Sequence, residues 1–344
     1  MRTRTAPPVD TARLLALIDA FADVRAVVFG DLIVDEFIYG DIARVSREAP
    51  VLILNYDSTQ IVAGGAGNAA NNVAALGGSA VAVGVTGRDE SGARLLDAMR
   101  PRVDVRAVLR ARGVRTPTKT RILAGGIHSA KQQVVRIDRA AGDGLTDADR
   151  NAIAGRLVKA AARCDALLVS DYGSGIVTPA LVAAAHKSLR RRGGGPTPVL
   201  VDSRYALLRF RGMTTCTPNE SEVEQLFGVR IGDNARVLER AGRELLRRTR
   251  AAAVLITRGS RGMALFEPGT PTMHIPIVGS DQIADVTGAG DTVIATMTLA
   301  LAAGARFLEA AHLANYAGGL VVMKRGTATV SADELRHAVL SGRA

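Results

Sequence analysis

From Thr146 onward the chain alternates strand-forming runs with stretches of helical periodicity. Residues 166–170, 199–201 and 213–216 are short runs typical of buried strands, and residues 147–162 and 179–192 have helical spacing. Strands that alternate with helices in this way form parallel sheets with helices on both faces. The pattern predicts an α/β fold with a mostly parallel sheet as its middle layer.

Carboxylates directly follow several of the predicted strands. An apolar run at residues 26–30 leads to Asp31 and Asp35, and Asp171 and Asp202 follow two later runs. In open α/β sheets, ligands bind beyond the carboxyl ends of the strands. A sugar needs such acceptors for its hydroxyl groups, although an aspartate at a strand end can equally cap the next turn. Asp31 and Asp35 are therefore candidates for a sugar site.

A loop of small residues near the C-terminal end precedes a long apolar helical pattern. Residues 285–291 read DVTGAGD, and the apolar run after them predicts a helix that begins within this motif. Backbone N–H groups of Gly288, Ala289 and Gly290 at a helix N-terminus are suited to an anion. Asp291 beside that anion is suited to take a proton from an acceptor hydroxyl. The alternative is an ordinary helix start with an aspartate in its first turn.

A glycine-rich turn that begins at Gly64 has two interpretations. Residues 65–70 read GAGNAA, which matches a dinucleotide fingerprint with Asp89 at about the right distance. That fingerprint should close the first strand of the fold, however, and the run at residues 26–30 already ends without it. We prefer the second interpretation, in which Gly64 and Gly65 let a polyol approach the backbone and Asn68 offers it hydrogen bonds.

Two segments break the strand–helix alternation. Residues 36–63 contain short β-prone pieces, and residues 103–138 contain three β-prone runs that follow one another without a helix. This pattern predicts a small sheet that serves as a lid on one domain spanning residues 1–344. Lys119 and Arg136 are among its basic residues, which suit either a clamp on an anionic substrate or a charged edge strand. An exposed lid sheet can also pair with a second copy, so a homodimer is expected.

Asn219 and Glu222 lie three residues apart at a predicted helix start. They would face the same way, and an amide with a carboxylate there can hold Mg²⁺ through water molecules. The alternative is a capping box in which the two residues satisfy the helix N-terminus. Both interpretations can be true together.

Small residues mark two further positions late in the chain. A strand that ends at Thr257 is followed by a turn with Gly259 and Gly262, and an apolar helix later contains Asn315 and Gly318. Small residues on that helix would let a flat adenine ring lie against it. Close packing of helices explains the glycine equally well.

Composition limits the function classes. The net charge of +11 indicates anionic ligands, and with 3% aromatic residues and no recognisable module it favours phosphorylated small molecules over nucleic acid. Two cysteines, Cys164 and Cys216, fit buried free thiols in a reducing compartment. No charge-free run reaches transmembrane length, so a cytoplasmic protein without a membrane partner is expected.

Together these motifs resemble the PfkB/ribokinase family of sugar kinases, over about residues 24–340. The glycine-rich region from Gly64 to Asn68 and the motif at residues 285–291 carry the resemblance. Within the family the chain is most similar to the heptose 7-phosphate kinases, the kinase half of a bifunctional kinase/adenylyltransferase of lipopolysaccharide-precursor synthesis. The run at residues 44–51 and the Thr217-Pro218-Asn219 segment belong to that closer match.

The resemblance implies a ribokinase-like three-layer αβα fold with a small β lid. It also implies ATP-dependent phosphorylation of the anomeric hydroxyl of a sugar phosphate, such as D-glycero-D-manno-heptose 7-phosphate, with ATP, Mg²⁺ and K⁺ as cofactors. By the same resemblance, each site residue receives a role: Asp291 as base; Gly288, Ala289 and Gly290 as anion hole; Asp31, Asp35, Gly64, Gly65, Asn68, Lys119 and Arg136 for the sugar phosphate; Asn219, Glu222, Thr257, Gly259, Gly262, Asn315 and Gly318 for ATP; Glu222 for Mg²⁺ through water; Asp285 and Thr287 for a monovalent cation.

The chain departs from the heptose kinase pattern at two positions. Ser174 and Arg204 occur where those kinases usually carry lysine, and both lie near the predicted active face. The alternatives are a family kinase for another sugar or a nucleoside, a Rossmann dehydrogenase that uses residues 65–70, and a sugar sensor without turnover.

Overall fold

A computed structural model gives the structure of the protein and describes residues 4–7, 9–99, 103–125, 131–142, 144–190, 197–278, 285–324 and 326–342. The strands within these residues are β1 (Arg4–Thr5), β2 (Arg25–Gly30), β3 (Leu32–Val45), β4 (Leu52–Gly65), β5 (Ser79–Val83), β6 (Val85–Gly87), β7 (Val103–Asp104), β8 (Leu109–Ala111), β9 (Thr118–Gly125), β10 (Gln132–Arg139), β11 (Ala166–Asp171), β12 (Val199–Ser203), β13 (Thr215–Cys216), β14 (Ala253–Thr257), β15 (Met263–Phe266) and β16 (Met273–Ile275).

Ten of these strands form the central sheet. Its strand order is β1-β16-β15-β14-β13-β12-β11-β2-β5-β7. Neighbours pair in parallel, except that β15 runs antiparallel to both β14 and β16. Because most strands are parallel, their carboxyl ends meet at one edge, where ligands bind in open α/β sheets.

Helices cover both faces of the central sheet. They are α1 (Thr11–Ala20), α2 (Ala66–Ala75), α3 (Glu90–Asp97), α4 (Asp147–Ala161), α5 (Pro179–Ser188), α6 (Glu220–Phe227), α7 (Ala235–Thr249), α8 (Ala289–Ala302), α9 (Phe307–Val322) and α10 (Ala332–Ser341). Local sequence fixes several of their starts. Thr146 caps α4, with Asp149 completing a capping box, and Pro179 begins α5.

Alternate residues of each buried strand face opposite apolar layers. In β2, Ala26 and Val28 belong to the cluster packed by α1, α2, α8, α9 and α10, whereas Val27 and Phe29 belong to the cluster packed by α4, α5 and α7. The period-two alternation of a strand produces this division. The predicted three-layer αβα arrangement is confirmed.

A second sheet stands apart from the central one. Strands β10, β9, β3 and β4 form it in that order, and we call it the small sheet. Strand β3 pairs antiparallel with β4 and parallel with β9, and β9 pairs antiparallel with β10. The predicted pairing of residues 36–63 with residues after 118 is therefore confirmed, while residues 126–130 of the predicted lid lie outside the described residues.

The first part of the second predicted lid segment lies elsewhere. Strand β7 pairs with β5 at the edge of the central sheet, and β8 pairs with β6 in a separate two-stranded sheet. Val103 and Ala111 are both buried, so their side chains pack on the main body. The prediction that residues 103–111 pair with the lid is wrong, because β-propensity does not specify which edge a strand joins.

Two sequence expectations concern single features of the chain. Cys164 and Cys216 are both buried free thiols, as predicted. Within the ranges that the structure describes, no helix has the length and apolar character needed to cross a bilayer.

Candidate active site

Helix α8 begins inside the DVTGAGD motif, as predicted. Gly288 is its N-cap with φ +79°, and a Cβ at this position would lie 2.6 Å from Nδ2 of Asn68. Only glycine meets both conditions without strain. Gly290 differs, because no atom lies within 4 Å of a Cβ built there and the residue borders a cavity. The amide of Ala289 donates to the Val286 carbonyl at 3.3 Å, which leaves Gly288 and Gly290 as the freer donors of the loop.

Asp291 lies in the first turn of α8 and is 4% exposed. Its Oδ2 accepts a hydrogen bond of 2.7 Å from Nδ2 of Asn68, and its Oδ1 lies 3.5 Å from the hydroxyl of Tyr172. Burial raises the pKa of Asp291 to about 7, against the opposing effect of the Asn68 hydrogen bond. A carboxyl group with a pKa near neutrality can accept a proton and release it again.

A chain of amides orients the Asn68 side chain. The hydroxyl of Thr292 donates to Oδ1 of Asn72 at 2.8 Å, and Nδ2 of Asn72 donates to Oδ1 of Asn68 at 3.1 Å. The amide nitrogen of Asn68 is therefore left to point at Asp291. The bond to Asp291 uses one of the two hydrogens on this amide nitrogen, and the predicted hydrogen bond from Asn68 to a sugar stays a prediction.

Asp31 is held from the loop after β11. It accepts hydrogen bonds from the backbone amides of Tyr172 at 2.7 Å and Ser174 at 3.2 Å, and from the Ser174 hydroxyl. Burial raises the pKa of Asp31, and the hydrogen bonds from Ser174 and Tyr172 oppose that shift. Ser174, one of the two departures from the heptose kinase pattern, therefore fixes a predicted sugar-site carboxylate.

Asp35 forms a buried ion pair with Arg121, at 2.6 Å between Oδ1 and an Nη atom. A Cβ built at Gly64 would lie only 2.3 Å from Oδ2 of Asp35. Gly65 has φ +56°, and a Cβ built there would lie 2.5 Å from the Asp31 carbonyl oxygen. These two glycines let the end of β4 lie directly against the two carboxylates. Their predicted contact with a polyol stays a prediction.

The dinucleotide interpretation of residues 65–70 is wrong. Strand β4, which leads into this turn, is an antiparallel strand of the small sheet and not the first strand of a parallel βαβ unit. Asp89 caps α3 and accepts hydrogen bonds from Gly92 and Thr116. The Asp89 carboxylate is therefore occupied by hydrogen bonds within the protein, which does not suit the ribose contact that a dinucleotide fingerprint requires.

Lys119 extends from the small sheet toward the same region. Its ammonium group lies 4.8 Å from the centre of the Tyr172 ring, within the range of a cation–π contact. Burial lowers the pKa of Lys119, Asp35 opposes that shift, and Arg136 and Arg204 reinforce it. Arg136 donates two hydrogen bonds of 2.7 and 2.8 Å to Asp138, so its charge is partly neutralised.

A cavity of about 430 Å³ opens beside the start of α8. Every residue predicted for the ATP site borders it, together with the anion-hole residues and the base: Asn219, Glu222, Thr257, Gly259, Gly262, Gly288, Ala289, Gly290, Asp291, Asn315 and Gly318. The Gly262 turn lies against the Ile275 carbonyl oxygen, and Asn315 donates to the Pro276 carbonyl at 2.7 Å. Asn315 thus supports the cavity wall by holding a neighbouring chain segment.

A second cavity, of about 350 Å³, has Asn68, Ala63 and Thr327 among its lining residues. Asn68 borders this cavity and contacts Asp291, which borders the first. The buried pair of Asn68 and Asp291 therefore lies between the two cavities, with Asp291 on the larger and Asn68 on the smaller.

Asn219 and Glu222 form the capping box that was the alternative to a metal role. Oδ1 of Asn219 accepts from the Glu222 amide at 2.9 Å, and Oε2 of Glu222 accepts from the Asn219 amide at 2.9 Å. Burial raises the pKa of Glu222, and burial with the nearby Glu222 charge raises that of Asp202 well above its usual range. Such crowded carboxylates attract a cation.

The carboxylates that the structure describes do not form a closed metal site by themselves. Among the described residues, no group of three or more His, Cys, Asp or Glu side chains is placed to hold a metal ion. A site with few protein ligands suits Mg²⁺, which keeps several waters and binds substrate phosphates.

Asp285 and Thr287 meet in the loop before α8. The Asp285 carboxylate accepts from the Thr287 amide at 2.9 Å and from the Gly326 amide at 3.0 Å. Burial would raise the pKa of Asp285, but these hydrogen bonds outweigh it and lower the pKa. The carboxylate thus stays ionised and joins this loop to the segment after α9. A monovalent cation at this position stays a prediction.

Sequence reasoning did not assign four residues that the structure places in the site. Tyr172 contacts Asp291 and Lys119, Arg121 pairs with Asp35, and Asp202 and Arg204 line the larger cavity. The position of Tyr172 and Asp202 beside strand ends was a usable signal. Arg121 was identifiable as a basic residue of the lid, but its pairing with Asp35 was not, because that contact is set by the parallel register of β3 and β9.

Comparisons with known proteins give relatives over most of the chain. It is 42% identical over 315 residues to a "Bifunctional protein HldE" from Geobacter metallireducens, covering 91% of this chain and 62% of that protein. It is 40% identical over 323 residues to a protein of the same name from Caulobacter vibrioides, covering 92% and 63%. The chain thus spans less than two thirds of the length of these relatives.

Solved structures share the fold at low sequence identity. A phosphofructokinase-2 mutant from Escherichia coli superposes with a TM-score of 0.74 at 19% identity, covering 92% of this chain and 98% of that one. Arabidopsis thaliana ribokinase, solved with ribose and ATP, superposes with a TM-score of 0.67 at 20% identity and the same coverage. The ribokinase-like fold predicted from the sequence is confirmed.

A family model described as pfkB family carbohydrate kinase matches residues 25–334. This range includes the small sheet, both cavities and the loop that carries Asp291. The chain belongs to the pfkB family of carbohydrate kinases.

Proposed function

We propose that the protein transfers the γ-phosphoryl group of ATP to the anomeric hydroxyl of a sugar phosphate. The observation that carries the proposal is Asp291, a buried carboxylate with a pKa of about 7 at the start of α8, beside the open backbone of Gly290. Phosphoryl transfer needs a base for the nucleophile and donors for the developing charge, and both occur here within one helical turn.

In the proposed reaction, ionised Asp291 accepts the proton of the sugar hydroxyl as the oxygen attacks the γ-phosphorus. The bond between the γ-phosphorus and the bridging oxygen breaks, ADP leaves, and the proton passes from Asp291 to solvent. Asn68 holds the carboxylate in place, and in this proposal the N–H groups of Gly288 and Gly290 are the donors to the transferred group. Such fixed donors stabilise charge without rearrangement during the reaction.

The residues around Glu222 fit a divalent cation. The carboxyl groups of Asp202 and Glu222 lie close enough that negative charge on one disfavours ionisation of the other. Both line the cavity, and Mg²⁺ bound through water prefers such oxygen ligands beside free space. When bound, Mg²⁺ neutralises charge on the phosphates of ATP. A structural relative, phosphofructokinase-2 from Escherichia coli, was solved in complex with potassium. For this chain we assign K⁺ to the loop of Asp285 and Thr287.

The favoured substrate is D-glycero-D-manno-heptose 7-phosphate. Asp31 and Asp35 supply acceptors for hydroxyl groups, and Lys119 supplies a cation with no ion pair to another described residue. Burial lowers the pKa of Lys119, the neighbouring arginines reinforce that shift, and the charge of Asp35 only partly offsets it. A sugar with a distal phosphate would supply further negative charge, with Arg136 and Arg204 close by.

ADP release with ATP and Mg²⁺ tests this proposal across a panel of acceptors. The panel contains D-glycero-D-manno-heptose 7-phosphate, sedoheptulose 7-phosphate, fructose 6-phosphate, ribose and adenosine. Turnover confined to the manno-heptose phosphate is the expected result. Turnover only with an unphosphorylated acceptor would refute the substrate, and absence of turnover with every acceptor would favour a sugar sensor.

Lys119→Met provides a matched test of the distal-phosphate contact. Loss of a charged contact to phosphate should raise KM for the phosphorylated sugar by about tenfold or more. Lys187→Met is the control, since Lys187 is exposed on α5, away from the small sheet. An unchanged KM in Lys119→Met would remove this residue from substrate binding.

We propose further that two copies pair through the small sheet, which then acts as a lid over a cytoplasmic active site. Exposed large apolar side chains concentrate there: Ile42, Val45, Val51, Leu52, Tyr56, Val134, Val135 and Ile137. Contiguous exposed apolar surface indicates an interface. Val135→Asp with Ile137→Asp should yield a monomer in sedimentation, whereas Leu340→Asp on α10 should not. A wild-type monomer at micromolar concentration would refute the pairing.

A further inference from the structure

A separate cavity of about 380 Å³ lies far from the active site. It is bordered by the start of β2, by β7 with the turn that follows, and by the last turns of α4. Arg25 begins β2, whereas Asp31 directly follows its end. Six residues of strand separate the two, which corresponds to roughly 20 Å. The cavity is therefore at the opposite edge of the central sheet from the sugar-site carboxylates.

The lining of this cavity is strongly cationic, and we call it the basic cavity. Its basic residues are Arg25, Arg106, Arg156, Lys159 and Arg163, and its one carboxylate is Asp104. Asp104 is already committed, because Arg106 donates to it at 2.7 and 2.9 Å and an Nη atom of Arg25 lies 3.7 Å away. Most of the positive charge has no counter-charge in the lining.

Two of these cations have no hydrogen-bond or ion-pair partner among the residues that the structure describes. Within the ranges that the structure describes, the side chains of Lys159 and Arg163 make neither a hydrogen bond nor an ion pair. Both are exposed on the same side of α4 and its end, one turn apart. Like charges at this spacing repel one another, and an anion between them would remove the repulsion.

Other cations of the basic cavity are fixed in place. Arg156 donates to the Val108 carbonyl at 2.6 Å, and Nε of Arg25 is buried without a hydrogen-bond partner. Burial keeps the nearby Cys164 thiol neutral by raising its pKa to about 12, so the thiol adds no negative charge. The Cys164 thiol beside the Arg25 side chain is only a weak acceptor, so the buried Nε of Arg25 can take a stronger acceptor from a ligand.

We propose that the basic cavity is a second binding site, for a small anion with one or more phosphate groups. Arginine forks bind phosphate oxygens in pairs, which matches several guanidinium groups around one enclosed space. Val81, Ala107 and Ala160 give the space an apolar wall, so a phosphate ester of small size fits as well as an inorganic diphosphate. This site is independent of the proposed kinase reaction.

Acetylation of Lys159 by an amine-reactive ester tests the proposal without any turnover. Inorganic pyrophosphate is the probe, and the rate of acetylation is measured by mass spectrometry in a buffer of physiological ionic strength, where diffuse attraction is screened. Above its Kd, pyrophosphate should slow the acetylation of Lys159 roughly fivefold or more. Acetylation of Lys187, exposed on α5, should not change. Binding of pyrophosphate at the active site cannot protect Lys159 across the sheet.

Matched variants separate a site from general positive charge. Arg163→Gln should abolish most of the protection of Lys159, whereas Arg150→Gln should retain it, since Arg150 lies on the same helix outside the cavity. Both residues are exposed, and circular dichroism verifies that each variant folds. Equal slowing at Lys159 and Lys187, no slowing at either, or equal loss of protection in both variants would overturn the proposal.

Discussion

Asp291 combines burial with a hydrogen bond from Asn68, and these two effects oppose each other in setting its pKa. Burial disfavours the carboxylate, while the amide N–H favours it. The resulting pKa of about 7 leaves a large fraction of the group ionised at neutral pH. A base in this range is both present in the correct form and basic enough to accept a hydroxyl proton.

The pH dependence of kcat/KM should therefore rise through the pKa of Asp291, near pH 7, because the base must be ionised. Asn68→Ala removes the N–H that favours the ionised form of Asp291. The acidic limb of the pH profile of this variant should therefore move to higher pH by about one unit. Asn55→Ala, an exposed amide on β4, should leave the limb in place. A phosphate on the substrate also titrates, at about pH 6, and contributes to the profile of every variant.

The test is consequently the difference between the variants. An acidic limb that does not move in Asn68→Ala would contradict the role of this hydrogen bond.

At this scale the sequence identified Asp291, the proposed base, but not the hydrogen bond that it accepts from Asn68. Asp291 was identifiable because the small residues before it and the apolar run after it lie within a few positions of one another. Asn68 lies 223 residues away, and its contact depends on how α2 packs against α8. Periodicity within one helix contains no information about which neighbouring helix supplies a hydrogen-bond partner.

At the scale of elements, the start of α8 requires two different glycines. Gly288 needs a positive φ and close approach to Asn68, whereas Gly290 has free space around it. The first glycine is required by the fold, and the second keeps the cavity open above the helix N-terminus.

Gly288→Ala should therefore lower the free energy of unfolding by about 1–3 kcal/mol, because of backbone strain and contact with Asn68. Gly290→Ala should not lower it, since alanine stabilises a helix and meets no atom there. Both variants should lose turnover, the second because its methyl group enters the cavity. Urea unfolding and sugar-dependent ADP release measure the two quantities. Equal stability of the two variants would contradict this distinction.

Helix starts were predictable from short motifs, whereas strand partners were less so. The capping box of Asn219 and Glu222 was one of two interpretations because its signal lies within four residues. Residues 103–111 were wrongly placed in the lid, because a short β-prone run is compatible with several sheet edges.

For the whole molecule, the raised pKa of Asp291 carries a cost in stability. The pKa is about 7 in the folded protein and 3.8 as the model value for an unfolded chain. The folded protein therefore favours the protonated carboxyl group more than the unfolded chain does. This contribution to the free energy of unfolding is fully present below pH 3.8 and is lost as the pH rises through 7, to a total of about 4 kcal/mol. The active site thus lowers the stability of the whole chain at the pH where it functions.

Asp291→Asn should accordingly be more stable than the wild type at pH 8, since the amide needs no ionisation. The difference should shrink by about half or more at pH 5, where the folded carboxyl group is protonated. Urea unfolding at both pH values measures it. Equal free energies of unfolding at pH 8 would contradict the raised pKa.

The catalytic role of Asp291 is the central claim, and turnover of Asp291→Asn tests it most directly. Sugar-dependent ADP release at saturating ATP, Mg²⁺ and sugar phosphate should fall by about 10²-fold or more, because a general base is lost. The Kd for ATP should change little, as the carboxylate acts on the acceptor hydroxyl. Near-normal turnover in this variant would show that Asp291 is not the base.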